Sequence, residues 1–180
     1  MLRTYVCDLK PSLICICEAS TNNSISDAYL SLDGYNLVVR ADGIDTKEGW
    51  CRGLLIYVKA GIMAARIESS IMNSMVECEG VTVPWGKGGG VLSVILAYRP
   101  PRYPGSEADN GYTDKLCELL SNLKSPAILL GDLNYPGIDW ERFYGESSAE
   151  KKVIDTVQDF FWTQHIDFST HRNPATGEKL

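Results

Sequence analysis

The chain has 180 residues, 44% of them apolar, and a formal net charge of −6. That is enough for one domain with a sizeable core and too little for two. No stretch approaches the unbroken apolar length of a membrane span, and the start, Met1-Leu2-Arg3-Thr4-Tyr5-Val6-Cys7-Asp8, has no apolar signal core, so neither a membrane protein nor a secreted one is expected.

In chain order, residues 1–10 read as the end of a helix closed by Lys10-Pro11. Leu13 to Cys17 reads as a buried strand that ends on Glu18. Residues 24–32 make a short helical or looped crossing punctuated by Gly34. Tyr35 to Arg40 and Gly53 to Lys59, rich in Val, Ile, Leu and Tyr, are strands separated by a charged loop from Asp42 to Arg52. Weaker strands follow near 63–68 and 74–83. Gly86-Lys87-Gly88-Gly89-Gly90 is then a hairpin turn before a strong strand, Val91 to Tyr98; a phosphate loop would need Lys followed by Ser or Thr and then a helix. Arg99-Pro100-Pro101-Arg102-Tyr103-Pro104-Gly105 reads as a rigid surface loop.

Asp109 to Leu123 reads as an amphipathic helix with Tyr112, Leu116, Leu119, Leu120 and Leu123 on one stripe. The run Ala127-Ile128-Leu129-Leu130, bounded by Pro126 and Gly131, is a short buried strand that delivers Asp132 and Asn134. Ser147 to Trp162 is a second long helix, in which Ser147 and Glu150 stand at capping-box spacing. Ile166-Asp167-Phe168 begins another strand. Strong strands with few flanking helices predict an α+β layered sandwich, and the short connections favour mixed or antiparallel sheets.

The chemistry concentrates at strand ends. Positions i and i+2 of a strand share a face, which would set Asp132 beside Asn134: a carboxylate able to act as base or metal ligand, next to a neutral donor for a phosphate oxygen. Glu18 also directly follows an apolar strand, and two such carboxylates converging would suit Mg²⁺ or Mn²⁺. Charged residues mark strand exits everywhere, so Glu18 alone carries no assignment, and the Asp132–Asn134 pair divides evenly between a structural and a chemical reading. Tyr98 ends a third strand, with a phenol able to donate to a phosphate or simply to pack half-buried. Asp139 and Trp140 fit a turn cap and a packing anchor.

The chain has two histidines. His165, placed at the end of the second helix, fits the helix dipole, and His171 lies in a polar loop. The net charge lacks the basic footprint of a nucleic-acid binder, leaving either an acidic cleft filled by metal ions or no tight nucleic-acid binding by the chain itself. The six cysteines, at 7, 15, 17, 51, 78 and 117, have no zinc-ligand spacing and read as reduced, intracellular thiols.

Three segments occur together and in order: Glu18 after Leu13-Ile14-Cys15-Ile16-Cys17; Ala97-Tyr98-Arg99-Pro100-Pro101; and Gly131-Asp132-Leu133-Asn134-Tyr135-Pro136-Gly137-Ile138-Asp139-Trp140. Together they resemble the endonuclease/exonuclease/phosphatase superfamily, and more narrowly the apurinic-type endonuclease domain of non-LTR retrotransposons. The resemblance implies a four-layer α/β/β/α sandwich of two mixed sheets and Mg²⁺ (or Mn²⁺)-dependent hydrolysis of a DNA phosphodiester. Carried over, Glu18 would bind the metal and Tyr98 would bond the scissile phosphate or leaving group. Asp132 would orient or deprotonate the attacking water, and Asn134 would hold a phosphate oxygen.

It further implies a DNA substrate, fusion to a reverse transcriptase, a monomer, and a nuclear or cytoplasmic location. The family's first strand, with its Asn near the metal, would precede residue 1, and its Ser-Asp-His strand is not among the 180 residues. The expectation is therefore one incomplete domain over 1–180 whose target-strand nicking is impaired. The alternatives are an inactive remnant with at most a binding role, and a phosphomonoesterase of the same superfamily.

Overall fold

The computed structural model describes residues 2–43, 52–101, 107–124 and 126–166. The chain divides into two compact units: Met1–Arg102 with Asn122–Asn134, and Tyr103–Ser121 with Tyr135–Leu180.

The first unit is a pair of sheets. One holds β1 (Leu13–Ile16), β2 (Tyr35–Asp42) and β3 (Gly53–Lys59) in the order β1-β3-β2, antiparallel throughout. The other holds β4 (Ala65–Arg66), β5 (Cys78–Trp85), β6 (Gly90–Tyr98) and β7 (Ala127–Asp132) in sequence order. It is mixed, since β6 and β7 run parallel and the other neighbours antiparallel. Val39, Leu54, Ile56, Val81, Val94 and Leu96 belong to one buried cluster drawn from both sheets. Each Leu or Ile so buried contributes about 1.5–3 kcal/mol relative to an exposed position.

Strand β3 is buried on both faces because its other side, at Leu55 and Tyr57, is bordered by α1 (Leu2–Leu9) and α2 (Asp27–Leu30). The Tyr57 hydroxyl donates to the Leu30 carbonyl at 2.7 Å, which ties α2 down. The architecture is the expected α+β sandwich; the β1-β3-β2 sheet, however, is antiparallel rather than mixed.

The second unit holds α4 (Glu107–Asn122), the two-residue strands β8 (Ile138–Asp139) and β9 (Tyr144–Gly145), and α5 (Ser148–Asp159). Helix α4 buries the predicted stripe at Tyr112, Leu116, Leu119 and Leu120, and α5 buries Val153, Ile154 and Val157. The Trp162 indole N–H reaches the Leu120 carbonyl at 3.3 Å, and Lys152 pairs with Asp114 at 2.7 Å. The Ser147–Glu150 capping box forms in both directions. Asp139 Oδ1 accepts the N–H groups of Glu141 and Arg142, so this residue caps a turn as expected.

Several local expectations are corrected. The strand expected over 74–83 begins only at Cys78, because Ser70–Ser74 forms a short helix, α3, capped by the Ser69 hydroxyl on Met72 N–H. Helix α5 stops at Asp159 rather than Trp162. Phe161 turns left-handed (φ 57°), and the bonds Trp162 N–H to Val157 O and Phe161 N–H to Gln158 O make the closing pattern of a Schellman motif. His165 therefore lies beyond the helix, exposed, and not on its terminal dipole. Ile166 is outside regular structure, while Asp167, Phe168, His171, Cys51 and residues 44–50 of the charged loop lie outside the described residues. No helix among the described residues is long and apolar enough to cross a membrane.

Candidate active site

Strands β1, β6 and β7 of the first unit bring their C-terminal ends together. The parallel register pairs Tyr98 with Asp132, one residue after Ala97 pairs with Gly131. Gly131 is required twice over: its φ is +134°, and a Cβ there would lie 1.8 Å from the Ala97 carbonyl oxygen. Any other residue would push β7 off β6 and carry Asp132 away from Tyr98. Tyr98 itself is 3% exposed, and its N–H donates to the Glu77 carbonyl at 2.9 Å.

Glu18 sits past β1 in a left-handed turn (φ 50°), fastened by the bond from Ala19 N–H to the Gly53 carbonyl at 3.0 Å. The Tyr98 hydroxyl donates to Glu18 Oε1 at 2.6 Å, across 80 positions of sequence. Burial pushes the Tyr98 phenol far above its ordinary range, helped by the bond to Glu18 and by the charges of Glu18 and Asp132, against the opposing charge of Arg52. At neutral pH the phenol is a proton donor, not a base.

Asp132 and Asn134 adjoin, but not through the pleat of a strand. Strand β7 ends at Asp132, and Asn134 is left-handed (φ 49°). The two are joined by an Asx-type turn in which Asn134 N–H donates to Asp132 Oδ1 at 3.2 Å. The Asn134 carboxamide donates to the Arg99 carbonyl at 2.6 Å, and the Arg99 guanidinium donates to the carbonyls of Leu133, at 3.2 Å, and Asn134. Arg99 is 4% exposed, which corrects its reading as part of a surface loop.

Two further side chains went unread in the sequence. The Arg52 guanidinium lies 5.0 Å from the centroid of the Tyr98 ring, a cation–π placement. Glu77, left-handed at φ 56° just before β5, has a buried Oε1 with no hydrogen-bond partner among the described residues. Burial raises its pKa, Arg52 lowers it, and Glu18 raises it again. Burial also raises the Cys17 thiol, with Asp132, Glu18 and Glu77 adding to the effect against a backbone bond from Asp132. The site thus gathers the carboxylates of Glu18, Glu77 and Asp132 and the Arg52 guanidinium around a buried phenol.

The donor set suits a hard divalent cation. Among the described residues, no three His, Cys, Asp or Glu side chains converge tightly enough to hold a metal ion alone. Mg²⁺, however, is ordinarily held by one or two carboxylates, with waters and substrate phosphate oxygens completing its shell. Glu18 and the orphaned Glu77 oxygen fit that requirement.

No family model and no curated protein matches the chain. Solved structures do. The AP endonuclease LMAP from Leishmania major matches with a TM-score of 0.63 at 18% identity, over 88% of this chain and 60% of that one. The endonuclease domain of TRAS1, a telomere-specific non-LTR retrotransposon, matches with a TM-score of 0.54 at 12% identity, over 88% and 63%. The mannosyl-6-phosphatase Bt3783 of Bacteroides thetaiotaomicron matches with a TM-score of 0.52 at 15% identity, over 86% and 60%. The chain spans about three fifths of the length of these structures. Its fold is the one that these endonuclease and phosphatase structures share, the retrotransposon endonuclease domain included.

Proposed function

We propose that the chain carries the phosphodiester-hydrolysing site of a retrotransposon-type DNA endonuclease, an intracellular domain that nicks a target strand for an attached reverse transcriptase. The observation that carries this reading is the convergence of Glu18, Tyr98, Asp132 and Asn134 at three strand ends, with Tyr98 bonded to Glu18 at 2.6 Å. Glu18 would hold Mg²⁺ or Mn²⁺, with Glu77 at hand. Bound there, the ion would offset phosphate charge and make a bound water more acidic.

The chain's own groups divide the remaining work. Asp132 uses one oxygen on Asn134 N–H, which leaves the other to orient or deprotonate the attacking water. The Asn134 amide has a second N–H for a phosphate oxygen. Tyr98, protonated and buried to its hydroxyl, has a single proton, which a phosphate oxygen or leaving group would take in competition with Glu18. The domain acts as a monomer on DNA in the nucleus or cytoplasm. Turnover by these 180 residues is low, since neither histidine stands in a Ser-Asp-His context.

The likeness to a mannosyl-6-phosphatase favours a second reading, hydrolysis of a phosphomonoester at the same groups. The chain is incubated with supercoiled plasmid, or with a sugar phosphate, in Mg²⁺ or Mn²⁺. Slow conversion of plasmid to open circles is expected, lowered about 100-fold or more by Asp132→Ala. Phosphate release without nicking replaces the endonuclease by the phosphatase. Equal rates for wild type and Asp132→Ala on both substrates overturn both and leave a binding remnant.

A further inference from the structure

We infer that Arg99 is a positioning residue for Asn134, holding the turn after β7 through its guanidinium and the Asn134 carboxamide through its own carbonyl. The inference rests on the proposed role of Asn134 for its meaning, but not for its test.

Four hydrogen bonds connect two short segments. Arg99 N–H donates to the Asp132 carbonyl at 2.9 Å, extending the parallel ladder by one rung beyond Tyr98 and Asp132. The Arg99 guanidinium then donates through a single nitrogen to the carbonyls of both Leu133 and Asn134. In return, Asn134 Nδ2 donates to the Arg99 carbonyl at 2.6 Å. The exchange is reciprocal, so neither residue can move without releasing the other.

Burial makes this more than a surface contact. A guanidinium only 4% exposed is costly to keep unless acceptors meet it, and backbone carbonyls past the end of a strand are otherwise orphans. Each group solves the other's problem. The turn they stabilise is one that Asn tolerates and most residues do not, with φ at 49°. The carboxamide orientation follows from the partner: a carbonyl oxygen faces it, so the amide nitrogen must sit there. Among the described residues its oxygen and second N–H are left for a ligand.

The motif supplies the last constraint. Arg99 precedes Pro100, and the proline ring confines the residue before it to extended conformations. That restriction fixes the direction of the carbonyl receiving the Asn134 amide. The Tyr-Arg-Pro sequence thus places a buried phenol, a carbonyl clamp and a lock on that clamp in three consecutive positions. Lysine keeps the charge but on a shorter, flexible stem without the planar guanidinium, so its ammonium would not hold both carbonyls from the place where the arginine nitrogen sits.

The test is nuclear magnetic resonance on the ¹⁵N-labelled chain, with the Asn134 side-chain signals identified by their loss in Asn134→Asp. In Arg99→Lys, exchange with water of the Asn134 side-chain and backbone N–H groups is expected to rise about tenfold, the effect of losing one such bond. Amides of β6 from Leu92 to Ala97 should keep wild-type rates, which a general loosening of the core would not allow. Should Arg99→Lys fail to fold, Pro100→Ala decides. It leaves the guanidinium in place, and the side-chain N–H of Asn134 should accelerate while its backbone N–H changes less. Wild-type exchange at the Asn134 side chain, in whichever of these variants folds, overturns the inference. A chain that hydrolyses no phosphate ester yet shows the Asn134 response keeps the positioning role and loses only the proposed reaction.

Discussion

The N-terminus of α5 and the strand-end cluster each take glutamate oxygens out of water, Glu150 as a buried residue and Glu77 as a half-buried one, and they treat them in opposite ways. Glu150, 7% exposed, accepts the N–H of Gly137 at 2.8 Å and both the N–H and the hydroxyl of Ser147, at 2.8 and 2.9 Å. Burial works against its charge, but these donors and the Glu146 backbone outweigh it and hold the carboxyl below its ordinary value. Glu77 keeps a buried oxygen with no partner among the described residues, and burial together with Glu18 pushes its carboxyl up despite Arg52. A carboxylate whose donors are all in place is scaffold. One left short of donors, beside a second carboxylate, is where a cation or substrate has something to add.

The largest test of that contrast is Glu150→Ala. It strands half-buried donors on Ser147 and Gly137, and opens a gap against Gly137, whose position a Cβ could not share with the Glu150 oxygens at 2.7 Å. We expect a loss of about 3 kcal/mol in urea denaturation. A loss below about 1 kcal/mol would mean that the network is not the anchor of this unit.

Acid should release the same contribution. The folded pKa of Glu150 lies below the ordinary 4.5, so the unfolded chain binds more protons in that window. The stability it confers is therefore complete above about pH 4.5 and drains as pH falls through the folded value. Thermal melts from about pH 6 down to about pH 3 should show the wild type losing more stability than Glu150→Gln. Parallel curves would remove Glu150 as the titrating group.

How much of this was legible depended on sequence separation. The Ser147–Glu150 box could be read because both partners lie within one helical turn, and β3, β6 and β7 because their apolar runs are unbroken, although Ile128 and Leu130 of β7 are exposed rather than buried as expected. Tyr98 and Asp132 could be placed at strand ends, since each follows such a run. The bond from Tyr98 to Glu18 could not, since 80 positions separate them and no local pattern encodes the pairing. Glu77 and Arg52 were invisible for the same reason. Arg99 was misread because Arg-Pro-Pro-Arg is turn chemistry and arginine is usually exposed; its acceptors come from 34 and 35 positions away. Two-residue strands such as β8 and β9 are too short to show a period.

A smaller effect isolates the cap from the rest of the network. Ser147→Ala removes the hydroxyl that accepts from Glu150 N–H at 3.2 Å but leaves the carboxylate and its backbone donors. About 1 kcal/mol is expected, by the same denaturation. A loss equal to that of Glu150→Ala would merge the two into one indivisible unit and leave the carboxylate no separate part in joining Gly137 to the helix.

The smallest effect carries the opposite sign, and the comparison stands or falls on it. Glu77→Gln keeps the shape of the side chain, removes its repulsion with Glu18 and gives up its attraction to Arg52. Because the raised pKa means that the neutral form is the one the fold prefers, the substitution should stabilise the chain by about 0.5 kcal/mol. The same change should weaken Mn²⁺ binding severalfold in a calorimetric titration, since a neutral oxygen replaces a carboxylate beside Glu18. Stability gained while cation affinity falls is the signature of a group kept for function at the expense of the fold. If instead Glu77→Gln destabilises by more than about 1 kcal/mol, the attraction to Arg52 dominates. The strand-end glutamate would then be scaffold, like the one that caps α5.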